Sequence, residues 1–461
     1  MLAENLSAYK RLFSAGAHTE LRAQLNRTRR VVMVAGSLAA NDRSDVSGVS
    51  ARVYKGGVCG FSSAAALDAD SIRSVLDAAT QNALFMDAHA GRGKPLFPAL
   101  PATENLTARE YSDPVQRLYI DAVRELDGYI SAKYPELAGR TLVAYSDRVD
   151  KQLVTSDGCS ALSASPRSYI YVILTAVTDA GAPVELSKAF GGFGSFDSHF
   201  SGVSALFPKV DALYEQLMRK REGIYPEAGL KTCILSGMLS GMLSHEAVGH
   251  TVEADLVLAG SVAAHNLGKP VASELVSMTD FAHTAFGEAA PLPVYADDEG
   301  TIATDAPLIR DGVLVGYMNN RESAQHFGVG PAGNARAWLF SDEPLIRMRN
   351  TAVHPGSSRL ADMIASIDDG YYLINTGNGQ ADTTGEFMFG VTMGYEIKRG
   401  KLGRALLDTT ISGVAFDMLK TVDMVSDELE WSSAGFCGKK QPMPVGMGGP
   451  AVRCKVTMGG R

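Results

Sequence analysis

The sequence is short of clustered positive charge: its longest basic run is the triplet Arg219-Lys220-Arg221, beside pairs such as Arg29-Arg30 and Lys439-Lys440, and Lys+Arg 43 against Asp+Glu 51 leaves a net charge of −8. Phosphate contacts need grouped cations, so a nucleic-acid surface is excluded as the main function. Long apolar runs are missing too. The run Cys233 to Leu243 is interrupted by serines and glycines and reads as a buried element, so no membrane span is expected. Met1 to Asn5 shows neither a charged leader nor an apolar core, so no signal peptide is expected. Cysteine is scarce: five residues (59, 159, 233, 437, 454), odd in number and scattered, form no pairable framework. Free thiols in a reducing cytoplasm are the expectation.

What remains is an ordinary globular composition, 46% hydrophobic and 20% charged, over 461 residues. That length suits two large domains. Residues 1–225 read as an N-terminal α+β domain built of two helix/strand blocks, with a Pro-rich linker near 91–113. β-Branched runs mark strands at 30–34, 48–54, 58–62, 141–145, 151–155 and 168–177. Apolar periodicity marks helices at 5–15, 68–82, 113–133 and 206–221. Residues 226–461 read as a β-rich domain: strands at 231–235, 274–279, 307–317, 371–375, 387–397, 405–411 and 453–458, with short helices near 360–367 and 413–418. The fold class is therefore α+β, its C-terminal region dominated by a large, mainly antiparallel β-sheet that carries a metal-binding helix.

That helix would span Gly237 to His250 and end in His245-Glu246-Ala247-Val248-Gly249-His250. Neutral imidazoles are zinc ligands, and a glutamate beside them can take the proton of an activated water. Metalloproteases space the histidines as H-E-x-x-H; here the spacing is one longer. On a regular helix, i and i+5 point about 140° apart. Both imidazoles reach one metal only if the helix widens into a π-turn or ends at His250. For the third ligand the residues leave Cys437, Glu253, Asp255 and His265 open. Cys437 sits between flexible glycines, near a Lys439 that would favour its thiolate. Cys454 lies in an alternating strand and reads as core.

Other motifs read as ordinary. Gly328 to Gly333 matches G-x-G-x-x-G, but no buried strand precedes it and Pro331 stands where a helix should open, so no dinucleotide is expected. Asp297-Asp298-Glu299-Gly300 lacks the spaced oxygens of a calcium loop and reads as a solvated turn or a structural contact. Asn334, Arg336 and residues 375–380 are Gly-supported polar segments of the kind that can hold a substrate backbone.

Together, His245-Glu246-Ala247-Val248-Gly249-His250 with Glu253-Ala254-Asp255, Ala272-Ser273-Glu274-Leu275, Asp297-Asp298-Glu299-Gly300, Gly316-Tyr317-Met318, Gly333-Asn334-Ala335-Arg336, and Cys437-Gly438-Lys439 with Pro444-Val445-Gly446 resemble the TldD/PmbA family, also called modulators of DNA gyrase. The order matches from about residue 230 onward, and Gly48 to Val53 with Gly60-Phe61 match more loosely. The resemblance implies a zinc metallopeptidase acting on unfolded or flexible peptides, with His245, His250 and Cys437 as ligands and Glu246 as the base that activates a zinc-bound water. It also implies a cytoplasmic heterodimer with a paralogue lacking the metal motif, or a homodimer, and a peptide bound in extended form. Ala254 replaces the family's usual Gly, and the stretch after Lys439 is one residue shorter. A non-catalytic regulatory protein, or a zinc hydrolase of a non-peptide amide, are the alternatives.

Overall fold

The structure, a computed structural model, describes residues 5–101, 103 and 111–460. Its N-terminal part is one six-stranded antiparallel sheet, β1 (His18–Val34), β2 (Ser37–Lys55), β3 (Val58–Ala64), β4 (Gly139–Thr155), β5 (Ser160–Val177) and β6 (Pro183–Phe193), in the order β3-β2-β1-β4-β5-β6. The two blocks legible in the sequence thus share a single sheet, joined through the β1–β4 pairing.

The strands run longer than their apolar cores. Apart from Leu25 and Val46, residues 24–30 and 41–47 are polar, yet they stay paired in the middle of the β1–β2 hairpin. Cross-strand charges supply what burial does not: Arg29 donates to Asp45 at 2.8 Å and Arg27 to Asp150 at 3.0 Å. The hairpin turns at Ala35-Gly36, both at positive φ, and the β2–β3 hairpin turns at Gly56-Gly57, likewise left-handed. Strand β6 was not expected, although Val184, Leu186 and Phe190 alternate as a half-buried strand requires.

One face of the sheet is apolar. Val31, Leu142, Ala144, Ile170, Val172 and Leu174 meet the helices Gln116–Lys133 and Phe207–Arg221 there. Helix Ala69–Ala90, capped by the Asp68 carboxylate, covers β2 and β3 through Ile72, Leu76 and Ala79. Residues 5–15, expected to be helical, contain a 3₁₀ turn at Leu6–Leu12. Of the expected linker near 91–113, residues 91–101 carry no helix or strand, and 102 and 104–110 lie outside the described residues.

The opposite face carries Arg22, Gln24, Asn26, Lys151 and Arg167, and the C-terminal part packs on it. Trp338 O accepts from Gln24 and Asn26. Asp298 pairs with Lys151 at 2.7 Å, and Glu299 with Arg52. The acidic turn is therefore a structural contact: Asp297, Asp298 and Glu299 are all buried.

The C-terminal sheet has eleven strands, two of its pairings parallel and the rest antiparallel. Five of them close into a barrel: β7 (Gly229–Leu235), β8 (Asp369–Ala381), β9 (Glu386–Lys398), β10 (Thr409–Val414) and β11 (Gly446–Met458), with β11 pairing back onto β7. Cys454 faces Cys233 across the closure and both are buried, the core position the alternation predicts. The strand expected at 274–279 lies at Met278–Phe281, and the long one at 307–317 is a short hairpin, Ala306–Arg310 and Val313–Leu314. Strand Met424–Ser432, paired with β11, was not expected.

The buried pair Glu20–Arg52, at 2.9 and 3.0 Å, makes stability pH-dependent. Burial alone would raise the Glu20 carboxyl; Arg52 and His18 outweigh it and hold it at about 2, against 4.5 for an ordinary glutamate. A depressed folded pKa means stability present above pH 4.5 and lost as pH falls toward 2. Glu20→Gln should cost about 3 kcal/mol at neutral pH, since it strips a buried guanidinium of a partner. Urea denaturation across pH should show that deficit shrinking below pH 4.5; a deficit independent of pH would refute the assignment.

Candidate metal centre

Strand β7 ends at Leu235, and Ser236 caps the next helix by accepting from Leu239 N–H. Helix Gly237–Met242 then widens: Leu243–Gly249 is a π-helix, closed by the His250 N–H donating to His245 O, and His250–Val252 follows as a 3₁₀ turn. Both routes that the five-residue spacing requires are used. The imidazoles end up on the same side, ring centroids 5.2 Å apart. Gly249 has helical dihedrals (φ −52, ψ −50), so backbone freedom does not explain it. Space does: a Cβ there would lie 2.1 Å from Met348 Sδ and 2.9 Å from Ser244 O.

Cys437 arrives from a two-residue-stranded hairpin, Phe436–Cys437 against Met443–Pro444. Its Sγ lies 3.3 Å from His250 Nε2. One donor atom each from His245, His250 and Cys437 falls within 4.8 Å of the others. Burial opposes a thiolate at Cys437, but the two imidazoles more than offset it and hold the thiol at about 3. Lys439 does not provide this effect, contrary to the expectation from sequence. It points away, to Asp255 at 2.7 Å and Glu253 at 3.1 Å.

The other third-ligand candidates have other places. Glu253 accepts from His250 Nδ1–H at 2.8 Å, orienting the ring and leaving Nε2 toward Cys437. Asp255 is spent on Lys439, and His265 is exposed in a separate 3₁₀ turn. Glu246, a quarter exposed, stands 3.9 Å from His245 Nε2 and 3.8 Å from His250 Nε2. Its carboxylate thus lies within 4 Å of both rings and keeps access to solvent.

Sequence reasoning missed the residues that hold the hairpin. Arg167, Tyr169 and Tyr171 alternate along β5, so all three face the C-terminal part. Arg167 donates to Ser433 O (3.1 Å), Tyr169 to Ser433 O (2.6 Å) and Tyr171 to Ala434 O (2.9 Å). Arg167 also lies over the Phe436 ring at 4.4 Å and pairs with Asp147. From the other side the fully buried Arg347 binds Cys437 O (2.7 Å), Lys439 O (2.8 Å) and Gln441 O (2.7 Å). The shortened stretch after Lys439 therefore still presents Cys437. The period-two run of polar rings and Arg in β5 was the available signal.

The G-x-G-x-x-G match is structural. Gly328, at φ +67, ends helix Arg321–Phe327 instead of opening one, the reverse of a dinucleotide loop. Asn334 is buried against Asp280, and Arg336 donates to Met348 O and Pro444 O. Residues 375–380 lie in the bulged second half of β8.

Residues 229–460 match the PmbA/TldA metallopeptidase C-terminal domain, and residues 19–83 match domain 1 of the same family. A metalloprotease of Methanothermobacter thermautotrophicus is 30% identical over 96% of this chain and 95% of its own. The chain belongs to the TldD/PmbA metallopeptidase family. Within that family, a zinc metalloprotease TldD homolog of Saccharolobus solfataricus is 28% identical over 73% of this chain and 74% of its own. The fold is shared with TldE from Thermococcus kodakarensis (TM-score 0.75, 16% identity, 100% of both chains). It is shared equally with a Thermotoga maritima protein described as a modulator of a DNA gyrase (TM-score 0.77, 18% identity, 98% of this chain and 97% of that one).

Gly249→Ala should destabilise by about 1–3 kcal/mol, because the new methyl overpacks against Met348. Gly249→Ala with Met348→Ala should recover part of that loss relative to Met348→Ala alone. Thermal melts of the four proteins check it; strict additivity would show that the two positions do not compete for space.

Proposed function

We propose that the chain is a zinc-dependent peptidase of unfolded or flexible peptides, with His245, His250 and Cys437 holding the metal and Glu246 as general base. The observation that carries this reading is His245. Its ring is wholly buried and neither nitrogen has a hydrogen-bond partner in the structure. A buried imidazole without a partner is costly unless something takes its lone pair. Two imidazoles and a thiolate suit zinc, and three protein donors leave the fourth position that catalytic sites keep open. Zinc, when bound, would supply a Lewis acid that acidifies water and polarises a peptide carbonyl.

Glu246 has the other work. Its carboxylate reaches the space beside both rings from the solvent side, where it can take a proton from the attacking water and return it to the leaving amine. Glu253 keeps His250 in the tautomer that leaves Nε2 free to bind. Arg347 and the β5 row keep the Cys437 carbonyl and the preceding backbone from shifting. The substrate would lie extended. The assembly we favour pairs this chain with a paralogue lacking the histidine motif, since the fold is that of a protein named TldE; a second copy of the chain is the other arrangement. No helix among the described residues is long and apolar enough to cross a membrane, and a cytoplasmic setting suits the free thiols.

Elemental analysis should find about one zinc per chain in the wild type and in Cys454→Ala, and little in Cys437→Ala. Glu246→Gln should keep the zinc and lower kcat on unfolded peptides by about 100- to 10,000-fold. Wild-type protein that takes up no zinc, or Glu246→Gln with unchanged turnover, would sink the reading. Hydrolysis of small amides but of no peptide would leave the chemistry and remove the substrate class.

A further inference from the structure

Between the N-terminal sheet and the C-terminal part lies a cavity of about 270 Å³ that none of the three proposed ligands lines. Its floor is one face of the β4–β5 pair, where the cross-strand partners are Val149 with Ser165, Lys151 with Ser163, and Leu153 with Ala161. The space exists because β5 carries alanine and serine at these positions. Across it stand Leu292, Val294, Tyr295 and Trp338. Part of the remaining wall is Met443 and Pro444, the residues paired with Cys437 and Phe436 in the hairpin. One strand spacing, about 5 Å, therefore separates the backbone bearing Cys437 from the cavity wall.

The charges around the cavity are already committed. Arg167 pairs with Asp147, Lys151 with Asp298 at 2.7 Å, and Arg336 with the Pro444 carbonyl at 3.0 Å. Asp297 accepts from the N–H groups of Thr301 and Ala335. An incoming charge would be desolvated without gaining a partner. A neutral ring would not: an apolar cavity of about 150 Å³ takes benzene, so this one has room for a phenol or an indole.

We propose that this cavity receives one large apolar side chain, aromatic by preference, of the extended peptide whose backbone crosses the His245–His250–Cys437 cluster. The proposal rests on the peptidase reading. At about 3.3 Å per residue, a side chain two or three residues from the cleaved bond spans the distance from the cluster to a wall one strand away. The pocket would thus set sequence preference at one position near the bond, rejecting acidic and basic residues there.

The test uses zinc-loaded full-length protein and a set of otherwise identical flexible peptides with Phe, Ala, Glu or Lys scanned through each position. The wild type should show a kcat/KM ratio of about tenfold or more for Phe over Ala at one position only, with Glu and Lys below Ala. Filling the floor with Ser163→Phe, and independently with Ser165→Leu, should collapse the Phe/Ala ratio to about one. Zinc content and the melting curve report whether each variant is folded. Hydrolysis with a ratio that neither folded variant alters would overturn the pocket while leaving the peptidase. If no peptide is cleaved, a second readout decides: Trp338 fluorescence, in a Trp431→Phe background, titrated with N-acetyl-phenylalaninamide and with N-acetyl-glutamate amide. A saturable change with the first only, abolished by Ser163→Phe, supports the pocket as an aromatic site although the peptidase reading has failed. No saturable change, or one that survives the filling, overturns it.

Discussion

Two histidines five residues apart cannot meet one atom from a regular α-helix, and the design of this site follows from that constraint. The helix after β7 takes the wider turn, and a π-helix gives up good backbone geometry that must be supported from outside. Support comes from the serine cap at its start, from the methionine packed into the space of the absent Gly249 side chain, and from the barrel that fixes where the helix begins. The third donor comes from a hairpin almost two hundred residues later in the chain. Local chemistry thus brings two imidazoles together, and tertiary structure must bring the thiol to them.

That division explains how much the sequence reveals. The His-Glu-His pattern, the need for a widened turn and the interest of Cys437 were all legible, because each depends on neighbours in sequence. Which of Cys437, Glu253, Asp255 and His265 stands beside both imidazoles was not legible from the residues alone, because it depends on where Lys439 and Glu253 point. The long strands were seen only in part. Residues such as Arg29 and Asp45 carry no apolar periodicity, and their strand pairing is held by charges that become visible once the register is known. Closure of the barrel pairs Cys233 with Cys454, a contact between distant segments that no local window contains.

The six-stranded sheet has two faces with different duties. Its apolar face buys stability from three helices by ordinary burial. Its other face is polar yet largely buried, with three of its cations answered by groups of the C-terminal part: Arg52 by Glu299, Lys151 by Asp298, Arg167 by carbonyls ahead of Cys437. Such an interface is weak in net energy but strict in register, since a shifted pairing would leave buried charges unanswered. The hairpin that bears Cys437 inherits that strictness.

Strand β11 belongs to two structures at once. Its first residues pair with Asn350–Val353 and with Met424–Ser432, while its last residues seal the barrel against β7. During synthesis the histidines are in place long before the segment that completes their surroundings. Until residues 437–458 have left the ribosome, the barrel stays open and the imidazoles lack their sulfur neighbour. A nascent chain would thus carry a latent centre, and ripening of the site would wait on its last-made strand.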